Sequence, residues 1–406
     1  MPLELVSLGL DAPEPGQSEP GPSGPGPAGT GSPPGPPVPG SPGPASRARL
    51  HAVEASGDPS RVEGPLQGYH HETYAFPLAG ELGALRPGRW KCREPRSDLL
   101  WFDRRCFASE EQLLAALQGR IDRIPELLEA GGIGLQRFIE GRTLGSLYAS
   151  GNAVPGGLFG QIVELFGHLI AVTPGMLTVE RRCEAADRPA DGDTAAFLER
   201  LVHFAEERVY ARNLTDFGEL FADLRIDGEA FKRLRKHLKG LRERPFCLLH
   251  ADLHRENFIV DAEHRLWTID WELAMLGDPL YDLATHLYLM RYPRWQARRM
   301  TQAWCRTAEA VRPGSSRGWE HDLELLVGFK KAQSVFTDVI RTALALGTGP
   351  GPDRRTLTVL GGKLHRVLAA AAHPLALESV PAPGAVVAAL TRWHRTHGHR
   401  RGEQAP

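Results

Sequence analysis

The sequence predicts an α+β protein in which short strands precede a longer, mostly helical carboxy-terminal part. Residues 11–45 consist largely of Pro, Gly, Ser and Ala. They cannot bury enough apolar surface to offset the entropy of ordering, so we expect a disordered N-terminal arm. Runs of β-branched and aromatic residues, such as 266–269, predict strands. Beyond residue 141, apolar residues recur at three- and four-residue spacing, which predicts helices.

The length of the chain suits two lobes. Subtracting the arm from the 406 residues leaves enough for a two-lobed protein with a sizeable core. Apolar periodicity marks helical segments at 158–172, 194–212, 228–241 and 322–346. We therefore divide the chain into the arm (1–50), an amino-terminal lobe (51–140), a helical carboxy-terminal lobe (141–396) and a flexible tail (397–406).

Composition and charge argue against several classes of protein. The net charge is −1 and no apolar run reaches membrane-spanning length, so we expect no membrane span. The five cysteines are widely spread without C-x-x-C pairing, which is typical of a reducing compartment. We therefore expect free thiols and a cytoplasmic protein. No nucleic-acid-binding module is recognisable, and nothing in the sequence indicates a protein partner.

The segment 246–284 places several polar side chains at the ends of short apolar runs. One apolar run ends just before Asp252, and Asn257 follows five residues later, where another apolar run begins. The strand-like run 266–269 leads directly into Asp270. The oxygen-bearing side chains of Asp252, Asn257 and Asp270 are therefore expected to converge.

This set of side chains is what phosphoryl transfer from ATP needs. A carboxylate positions the acceptor hydroxyl and takes its proton, while oxygen ligands hold magnesium on the phosphates. Asp252 fits the first role, and Asn257 and Asp270 fit the second. Taken alone, the pattern H-x-D-x-x-x-x-N also fits a polar turn in which Asp and Asn cap their own backbone.

The continuation of the segment favours the catalytic interpretation. Asp270 lies in the motif I-D-W-E, which is followed by G-D-P at 277–279 and D-L-A at 282–284. With these motifs the chain resembles the aminoglycoside phosphotransferase family, the small-molecule branch of the protein-kinase-like fold. The resemblance implies a two-lobed fold with a small β-rich N-lobe and a larger, mostly helical C-lobe. It also implies transfer of the γ-phosphate of ATP to a hydroxyl of a small molecule.

The resemblance implies a role for each matched residue. Asp252 is the catalytic base or positioner, and Asn257 and Asp270 are magnesium ligands. His250 braces the catalytic loop, and Asp282 supports that loop without contacting the substrate.

Neighbouring residues refine this assignment. Asp278 followed by Pro279 is typical of an N-cap and a first helical residue, so Asp278 is expected to support the site structurally. Protein kinases usually carry Arg before the catalytic Asp and Lys two residues after it. Here those positions hold Ala251 and His254, which favours a small-molecule kinase.

Lys91 is the candidate for binding the nucleotide phosphates. It is the only lysine before Lys232 and lies in a strand-like run after a Pro/Gly turn. Its partner is expected to be a carboxylate on a helix that begins after the N-cap Ser109. Glu110 and Glu111 both qualify, and the i, i+3 spacing of Glu111 with later leucines favours Glu111.

The remaining nucleotide contacts are implied by the resemblance and by order along the chain. Backbone groups around Phe138 and Ile139 would meet adenine. Residues 67–74 occupy the place of the phosphate-covering loop, although they lack the G-x-G-x-x-G pattern. The expected cofactors are ATP, or GTP in its place, and Mg²⁺.

The charge of the carboxy-terminal part suggests the class of acceptor. Arg and Lys outnumber Asp and Glu from Thr285 onward, and four arginines cluster there: Arg291, Arg294, Arg298 and Arg299. A polycationic aminoglycoside would prefer an acidic pocket, so this bias favours a neutral or anionic small hydroxylated acceptor. The same arginines also fit a solvated helix face.

Two other functions fit parts of the sequence. A nucleotide-binding pseudokinase or regulatory module would explain the unusual phosphate loop, although every polar catalytic position is filled. A metallohydrolase could use His250, Asp252 and His254 as direct metal ligands, yet further His and Asp ligands at recognisable spacing are missing.

Overall fold

The computed structural model describes residues 46–66, 71–96, 104–130, 133–347 and 351–402. Short antiparallel sheets and many helices confirm the predicted α+β class. The predicted disordered arm up to residue 45 and residues 67–70 of the predicted phosphate-covering loop lie outside the described residues. The chain divides into two compact units, residues 1–96 and 97–406, which are described separately. The predicted lobes 51–140 and 141–396 stay a prediction.

The first unit contains a β-hairpin and two helices. Its elements are α1 (Arg47–Ser56), β1 (His71–Pro77), α2 (Gly80–Leu85) and β2 (Arg89–Pro95). Strands β1 and β2 pair antiparallel, with Tyr74 opposite Cys92 and Ala75 opposite Lys91. Trp90 and Cys92 are buried on one face of β2. The predicted strand around Lys91 is therefore confirmed.

Helix α1 corrects one boundary of the predicted arm. Residues 47–50 were assigned to the disordered arm, but they form the first turn of α1. The Ser46 hydroxyl caps this helix by accepting the backbone N–H of Arg49, and it donates to Glu72 of β1 at 2.8 Å. The carbonyl of Ala48 accepts the Cys92 thiol at 3.1 Å. These contacts order the segment, because they tie it to the hairpin.

The second unit begins with a helix and a strand pair. These elements are α3 (Glu110–Leu117), β3 (Leu127–Ala130) and β4 (Ile133–Arg137), and the two strands pair antiparallel. The side chain of Ser109 accepts the backbone N–H of Gln112, which confirms the predicted N-cap. Leu113, Leu114 and Leu117 are fully buried, as the apolar spacing predicted.

Five short strands lie around the polar residues of the central motif. They are β5 (Arg142–Thr143), β6 (Cys247–Leu249), β7 (Phe258–Val260), β8 (Leu266–Thr268) and β9 (Met275–Gly277). The order β5-β7-β8 forms one antiparallel sheet, and β6 pairs antiparallel with β9 in another. Residues 250–257 therefore connect two different sheets.

The rest of the second unit is helical, as predicted. Its helices are α4 (Leu144–Leu147), α5 (Gly156–Ala171), α6 (Thr194–Phe204), α7 (Leu214–Asp223), α8 (Glu229–His237), α9 (Pro279–Met290), α10 (Arg294–Val311), α11 (Trp319–Leu344), α12 (Arg354–Ala371) and α13 (Pro383–Gly402). Helix α13 continues to Gly402, so residues 397–402 of the predicted tail are helical. The flexibility of the tail stays a prediction. Across the part of the chain that the structure describes, no helix combines the length and apolarity that crossing a bilayer requires.

Candidate active site

The catalytic loop begins where the buried strand β6 ends. All three residues of β6 are buried, and so is His250, which follows them. Ala251 then adopts a left-handed backbone conformation with φ +65°. This turn takes the chain out of the core, and the side chain of Asp252 is 26% exposed. The candidate base is therefore accessible although it follows a fully buried strand.

Side chains in the first turns of helix α9 bind the backbone of the loop and hold it in place. The carboxylate of Asp282 accepts the backbone N–H of His250 at 3.1 Å and that of Ala251 at 2.7 Å. Four residues later, Nδ1 of His286 donates to the carbonyl of Leu253 at 3.0 Å. Because positions i and i+4 share one helix face, a single face of α9 positions the loop on both sides of the candidate base.

Burial changes the titration of both supporting side chains. It raises the pKa of Asp282 to about 6, although the two backbone hydrogen bonds oppose this rise. It lowers the pKa of His286 to about 3, so this imidazole is neutral at physiological pH. Nε2 of the neutral ring accepts the hydroxyl of Tyr292 at 3.0 Å.

His250 connects the catalytic loop to the segment that carries Asp270. Its Nε2 donates to the carbonyl of Ile269 at 3.1 Å, and its ring packs on Trp271 with centroids 4.7 Å apart. Complete burial lowers the pKa of His250, so the ring acts as a neutral brace. The bracing role that the resemblance implied agrees with these contacts.

Asn257 closes the loop and links it to the segment that leads to Asp270. Its Nδ2 donates to the carbonyl of Asp252 at 2.9 Å and to Oδ2 of the same residue at 3.1 Å. Its backbone carbonyl accepts the N–H of Ile269 at 3.0 Å. This bond continues the β7–β8 ladder by one step and places Asn257 beside the residue that precedes Asp270. The side chains of Asp252 and Asn257 are therefore in contact, and Asp270 follows directly after the residue that pairs with Asn257. Convergence of all three side chains on one magnesium site stays a prediction.

The imidazole of His254 lies next to the carboxylate of the candidate base. Its Nε2 lies 3.3 Å from Oδ2 of Asp252, while its Nδ1 accepts the backbone N–H of Glu256 at 3.1 Å. The proton of the neutral ring therefore belongs on Nε2, facing the carboxylate. Burial disfavours the charged ring, but the hydrogen bond to Asp252 and the charge of Asp270 raise the pKa of His254 above its usual value.

Arg255 anchors the second half of the loop, a role that the sequence did not suggest. This buried guanidinium donates to three backbone carbonyls: those of Met290 at 3.1 Å, Tyr148 at 2.9 Å and Asn152 at 2.8 Å. The sequence signal was an arginine between two apolar strands, but its acceptors lie far away along the chain. Hydrogen bonds to backbone carbonyls do not require particular residue types at the acceptor positions, so they produce no sequence motif.

The segment after Asp270 is fixed by residues around α3. Oε1 of Glu110 accepts the backbone N–H of Trp271 at 2.7 Å, and Oε2 accepts Nε2 of Gln136 at 3.1 Å. Arg105 forms an ion pair with Glu272 at 2.8 Å. Two consecutive residues after the predicted metal ligand are thus held in place.

The two adjacent glutamates of α3 therefore have different surroundings. Glu110 is 8% exposed and contacts the Asp270 segment. Glu111 is half-buried, and its Oε2 accepts the hydroxyl of Ser109 at 2.7 Å. Lys91 belongs to the first unit, so the predicted pairing of Lys91 with Glu111 stays a prediction.

The predicted adenine contacts lie at the end of strand β4. Phe138 and Ile139 are half-buried in the connection to β5. Gly141 then has φ +150°, and a Cβ there would lie 2.3 Å from the carbonyl oxygen of Val260. The sharp exit from the strand therefore requires glycine, whereas contact of Phe138 and Ile139 with adenine stays a prediction.

Asp278 caps helix α9 inside a buried ion-pair cluster. Its Oδ1 accepts the backbone N–H of Leu280 at 2.9 Å, which confirms the predicted N-cap. Nε of Arg244 donates to both of its oxygens at 2.8 and 2.9 Å, and Nη1 of Arg244 donates to Asp322 at 2.7 Å. These three side chains are fully buried, so their role is structural.

The donor set at Asn257 and Asp270 fits magnesium. Asn257 uses its amide NH₂ on Asp252, which leaves the amide oxygen for a cation, and Asp270 adds a carboxylate. Magnesium takes one or two protein oxygen ligands together with phosphates and water. Among the described residues, no group of three or more His, Cys, Asp and Glu side chains is arranged to hold a metal ion.

A family comparison is consistent with this geometry. Residues 61–319, more than half of the chain, match the family model described as a phosphotransferase enzyme family.

Two solved structures illustrate the range of similar proteins. A macrolide 2′-phosphotransferase, MphH from Brachybacterium faecium, is 18% identical and covers 82% of this chain and 100% of its own, with a TM-score of 0.46. A choline/ethanolamine kinase family protein from Mesorhizobium loti is also 18% identical, covers 85% of this chain and 98% of its own, and has a TM-score of 0.46. Both likenesses are distant, so the conclusions below rest on the family match and on the site.

Proposed function

The chain belongs to the phosphotransferase enzyme family, and from that premise we propose that Asp252, Asn257 and Asp270 carry ATP-dependent phosphoryl transfer to a small-molecule hydroxyl. The observation that carries this proposal is the position of Asn257. Its side chain holds Asp252, and its backbone joins the strand that leads to Asp270. One residue thereby fixes the base relative to both metal ligands.

Asp252 aligns the acceptor and takes its proton. Its carboxylate contacts the Asn257 amide and His254, and a quarter of its side chain remains exposed for the acceptor hydroxyl. The hydroxyl oxygen attacks the γ-phosphorus, its proton passes to Asp252, and ADP leaves. In this chemistry most of the rate comes from positioning and charge stabilisation, so the rigid support of the loop matters.

Asn257 and Asp270 would hold magnesium through the amide oxygen and the carboxylate. A bound magnesium ion neutralises charge on the phosphates during transfer. Glu110 and His250 keep both ends of the Asp270 segment in place through the backbone of Trp271 and Ile269. The protein contribution is therefore the fixed spacing between the ligands and the base.

The nucleotide contacts are proposed from the resemblance and the positions of the residues. Lys91 of β2 would bind the α and β phosphates, with a glutamate of α3 as its partner. Glu111 is one candidate for this partner because of its helix spacing. Glu110 is the other candidate, because its carboxylate contacts the residue after Asp270. Backbone groups at Phe138 and Ile139 would meet the base of ATP, or of GTP in its place.

The acceptor site is proposed where α9 faces α11. Nζ of Lys330 donates to the hydroxyl of Tyr281 at 3.3 Å, and the Tyr288 hydroxyl donates to Ser334 at 2.8 Å. Lys330 also acts electrostatically on Asp282, the carboxylate that holds the catalytic loop. A lysine and several hydroxyl groups next to the loop favour a neutral or anionic acceptor over a polycationic one.

The arginine cluster contributes less to this preference than the sequence suggested. The Arg299 guanidinium lies 4.9 Å from the centroid of the Phe159 ring, so it packs against α5. At least one of the four arginines therefore covers a helix face, which is the alternative that the sequence left open.

Magnesium-dependent transfer from γ-labelled ATP tests the proposal. The purified full chain is incubated with pools of cationic, neutral and anionic hydroxylated compounds. Labelled product is expected with the wild type in a neutral or anionic pool, and it should disappear when EDTA removes magnesium. Asp252→Ala should give none, because the acceptor proton then has no base.

Glu263→Gln is the matched control, because Glu263 is an exposed carboxylate in the β7–β8 turn whose ion pair with Arg265 lies away from the base. It should label product like the wild type. Equal labelling by the wild type and Asp252→Ala would contradict the assigned base. ATP binding without labelling of any pool would instead favour the pseudokinase.

A further inference from the structure

A cleft in the second unit brings two of the five cysteines together with three arginines. The cleft is small and partly open to solvent. Its lining includes Arg104, Cys106, Arg181, Cys183 and Arg188. None of these side chains takes part in the phosphoryl transfer proposed above.

The backbone holds the two cysteine-bearing segments side by side. Phe107 and Arg181 form an antiparallel bridge. On one side of this bridge, the N–H of Arg182 donates to the carbonyl of Cys106 at 2.9 Å. Backbone pairing therefore keeps the two cysteine-bearing segments adjacent, and both cysteine side chains line the same cleft.

The two cysteine side chains line the same cleft and differ in their titration. The Cys106 thiol donates a hydrogen bond to the sulfur of Cys183, and Arg188 and Arg104 add positive charge. These contacts lower the pKa of Cys183 to about 5, although burial opposes the change. The same hydrogen bond and burial raise the pKa of Cys106. The pair thus combines a thiolate with a protonated thiol, and both cysteines are reduced in this structure.

The other three cysteines have the opposite environment. Burial raises the pKa of Cys92 to about 11 and that of Cys305 to about 12. Cys247 lies in the fully buried strand β6, and burial raises its pKa as well. A thiolate is the reactive form of cysteine. These three residues therefore serve as internal controls for the reactivity of Cys183.

We propose that Cys183 and Cys106 form a peroxide-reactive dithiol site, in which Cys183 is the nucleophile and Cys106 resolves the product into a disulfide. The half-buried Cys183 is open to a small oxidant, whereas the buried Cys106 needs to reach only its neighbour. The arginines of the cleft stabilise the negative charges of the thiolate and of the leaving hydroxide.

The chemistry balances with hydrogen peroxide as the oxidant. The Cys183 thiolate attacks one peroxide oxygen, the O–O bond breaks, and hydroxide leaves while a sulfenic acid forms on Cys183. The Cys106 sulfur then attacks the Cys183 sulfur, and the S–O bond breaks. The displaced hydroxide takes the Cys106 thiol proton and leaves as water. The first hydroxide takes up from the solvent the proton that Cys183 released when it ionised. In sum, two thiols lose two electrons and one peroxide becomes two waters.

Differential alkylation of the unmodified full chain gives the first test. Reduced protein at pH 6 receives a limiting amount of iodoacetamide, and each cysteine is quantified by peptide mass spectrometry. Cys183 should react at least about tenfold faster than Cys305, which is also half-exposed, because only Cys183 carries a thiolate at that pH. Equal rates at the two positions would overturn the proposal.

Titration with hydrogen peroxide tests the second step. The wild type should lose two of its five alkylatable thiols and 2 Da of mass, and peptide mapping should find a Cys106–Cys183 disulfide that dithiothreitol reverses. In Cys106→Ser, dimedone should trap a sulfenic acid at Cys183. Cys305→Ser should form the disulfide as the wild type does, because its sulfur lies outside the cleft.

Two results would refute the site even if a variant folds poorly. One is a wild type that keeps all five alkylatable thiols at peroxide levels that oxidise free cysteine. The other is a disulfide that joins a different pair of cysteines in the wild type. Both readouts use the unmodified protein, so they are independent of the phosphotransferase activity.

Discussion

Two carboxylate clusters of the second unit stand in opposite environments. Asp278 and Asp322 are fully buried and share Arg244 between them. Asp252 is 26% exposed, and its carboxylate contacts Asn257 and His254. In the first cluster, Asp278 caps α9 and Asp322 lies in the first turn of α11, whereas Asp252 lies in the loop that α9 supports.

The difference shows how the same side chain becomes structural or catalytic. The oxygens of Asp278 accept hydrogen bonds from Arg244, from the Thr194 hydroxyl at 2.7 Å and from the backbone of Leu280. A buried carboxylate is stable only when its acceptor sites are filled in this way. Asp252 keeps acceptor capacity for a substrate hydroxyl because it is less completely surrounded. The two clusters should therefore respond oppositely to mutation.

Asp252→Asn should produce the largest effect, and it should affect activity. The amide cannot accept the acceptor proton, so we expect kcat to fall by about 10²–10⁴-fold, as is typical when general base catalysis is lost. Stability should change by less than about 1 kcal/mol, because the site is partly exposed. Steady-state transfer of labelled phosphate and urea unfolding measure the two quantities.

Asp223→Asn is the control for that substitution, because Asp223 pairs with Arg392 at the surface of the helical region. It should change neither quantity appreciably. A large loss of stability in Asp252→Asn would mean that Asp252 belongs with the structural carboxylates.

Arg244→Met should produce the next largest effect, and it should affect stability. The change leaves Asp278 and Asp322 buried without their cation, which typically costs about 3–5 kcal/mol. Urea unfolding measures the loss.

Arg235→Met is the matched control, since Arg235 also binds two carboxylates, Glu199 and Glu206, but near the surface. It should cost no more than about 1 kcal/mol. Equal losses in the two variants would remove the distinction between the clusters.

Asp282→Asn should have a smaller effect that depends on pH. Burial raises the pKa of Asp282 in the folded protein to about 6, above the unfolded value of 3.8. The folded state therefore binds more protons between these two values, and the contribution of Asp282 to stability falls as pH rises from about 4 to about 6. A difference of this size corresponds to about 3 kcal/mol at most.

The measurement is the difference in unfolding free energy between the wild type and Asp282→Asn across this pH range. The wild type should lose stability relative to the variant up to about pH 6, and the difference should then stay constant. If the wild type instead gained stability relative to Asp282→Asn as the pH rises, the two backbone hydrogen bonds would outweigh burial in setting the pKa of Asp282.

Local relationships in the site could be predicted from the sequence. Asp252 and Asn257 are five residues apart in one loop, and a tight hairpin brings Asp270 beside them. The N-cap at Asp278 is also a local arrangement. The choice between Glu110 and Glu111 was harder, because helix spacing alone favoured Glu111. The backbone of Trp271, which binds Glu110, lies 161 positions away in the sequence.

The sequence by itself determined the reaction class and the order of the candidate catalytic residues, because these depend on residue types at short, fixed spacing. Tertiary structure alone decided which residues hold the site in place. Arg255 binds carbonyls 103 and 107 residues away, and Arg244 reaches Asp322 across 78 residues. Cys106 and Cys183 likewise lie on segments that an isolated backbone bridge between Phe107 and Arg181 holds side by side. Such partners share no local pattern, because packing brings distant segments together without constraining the residues between them.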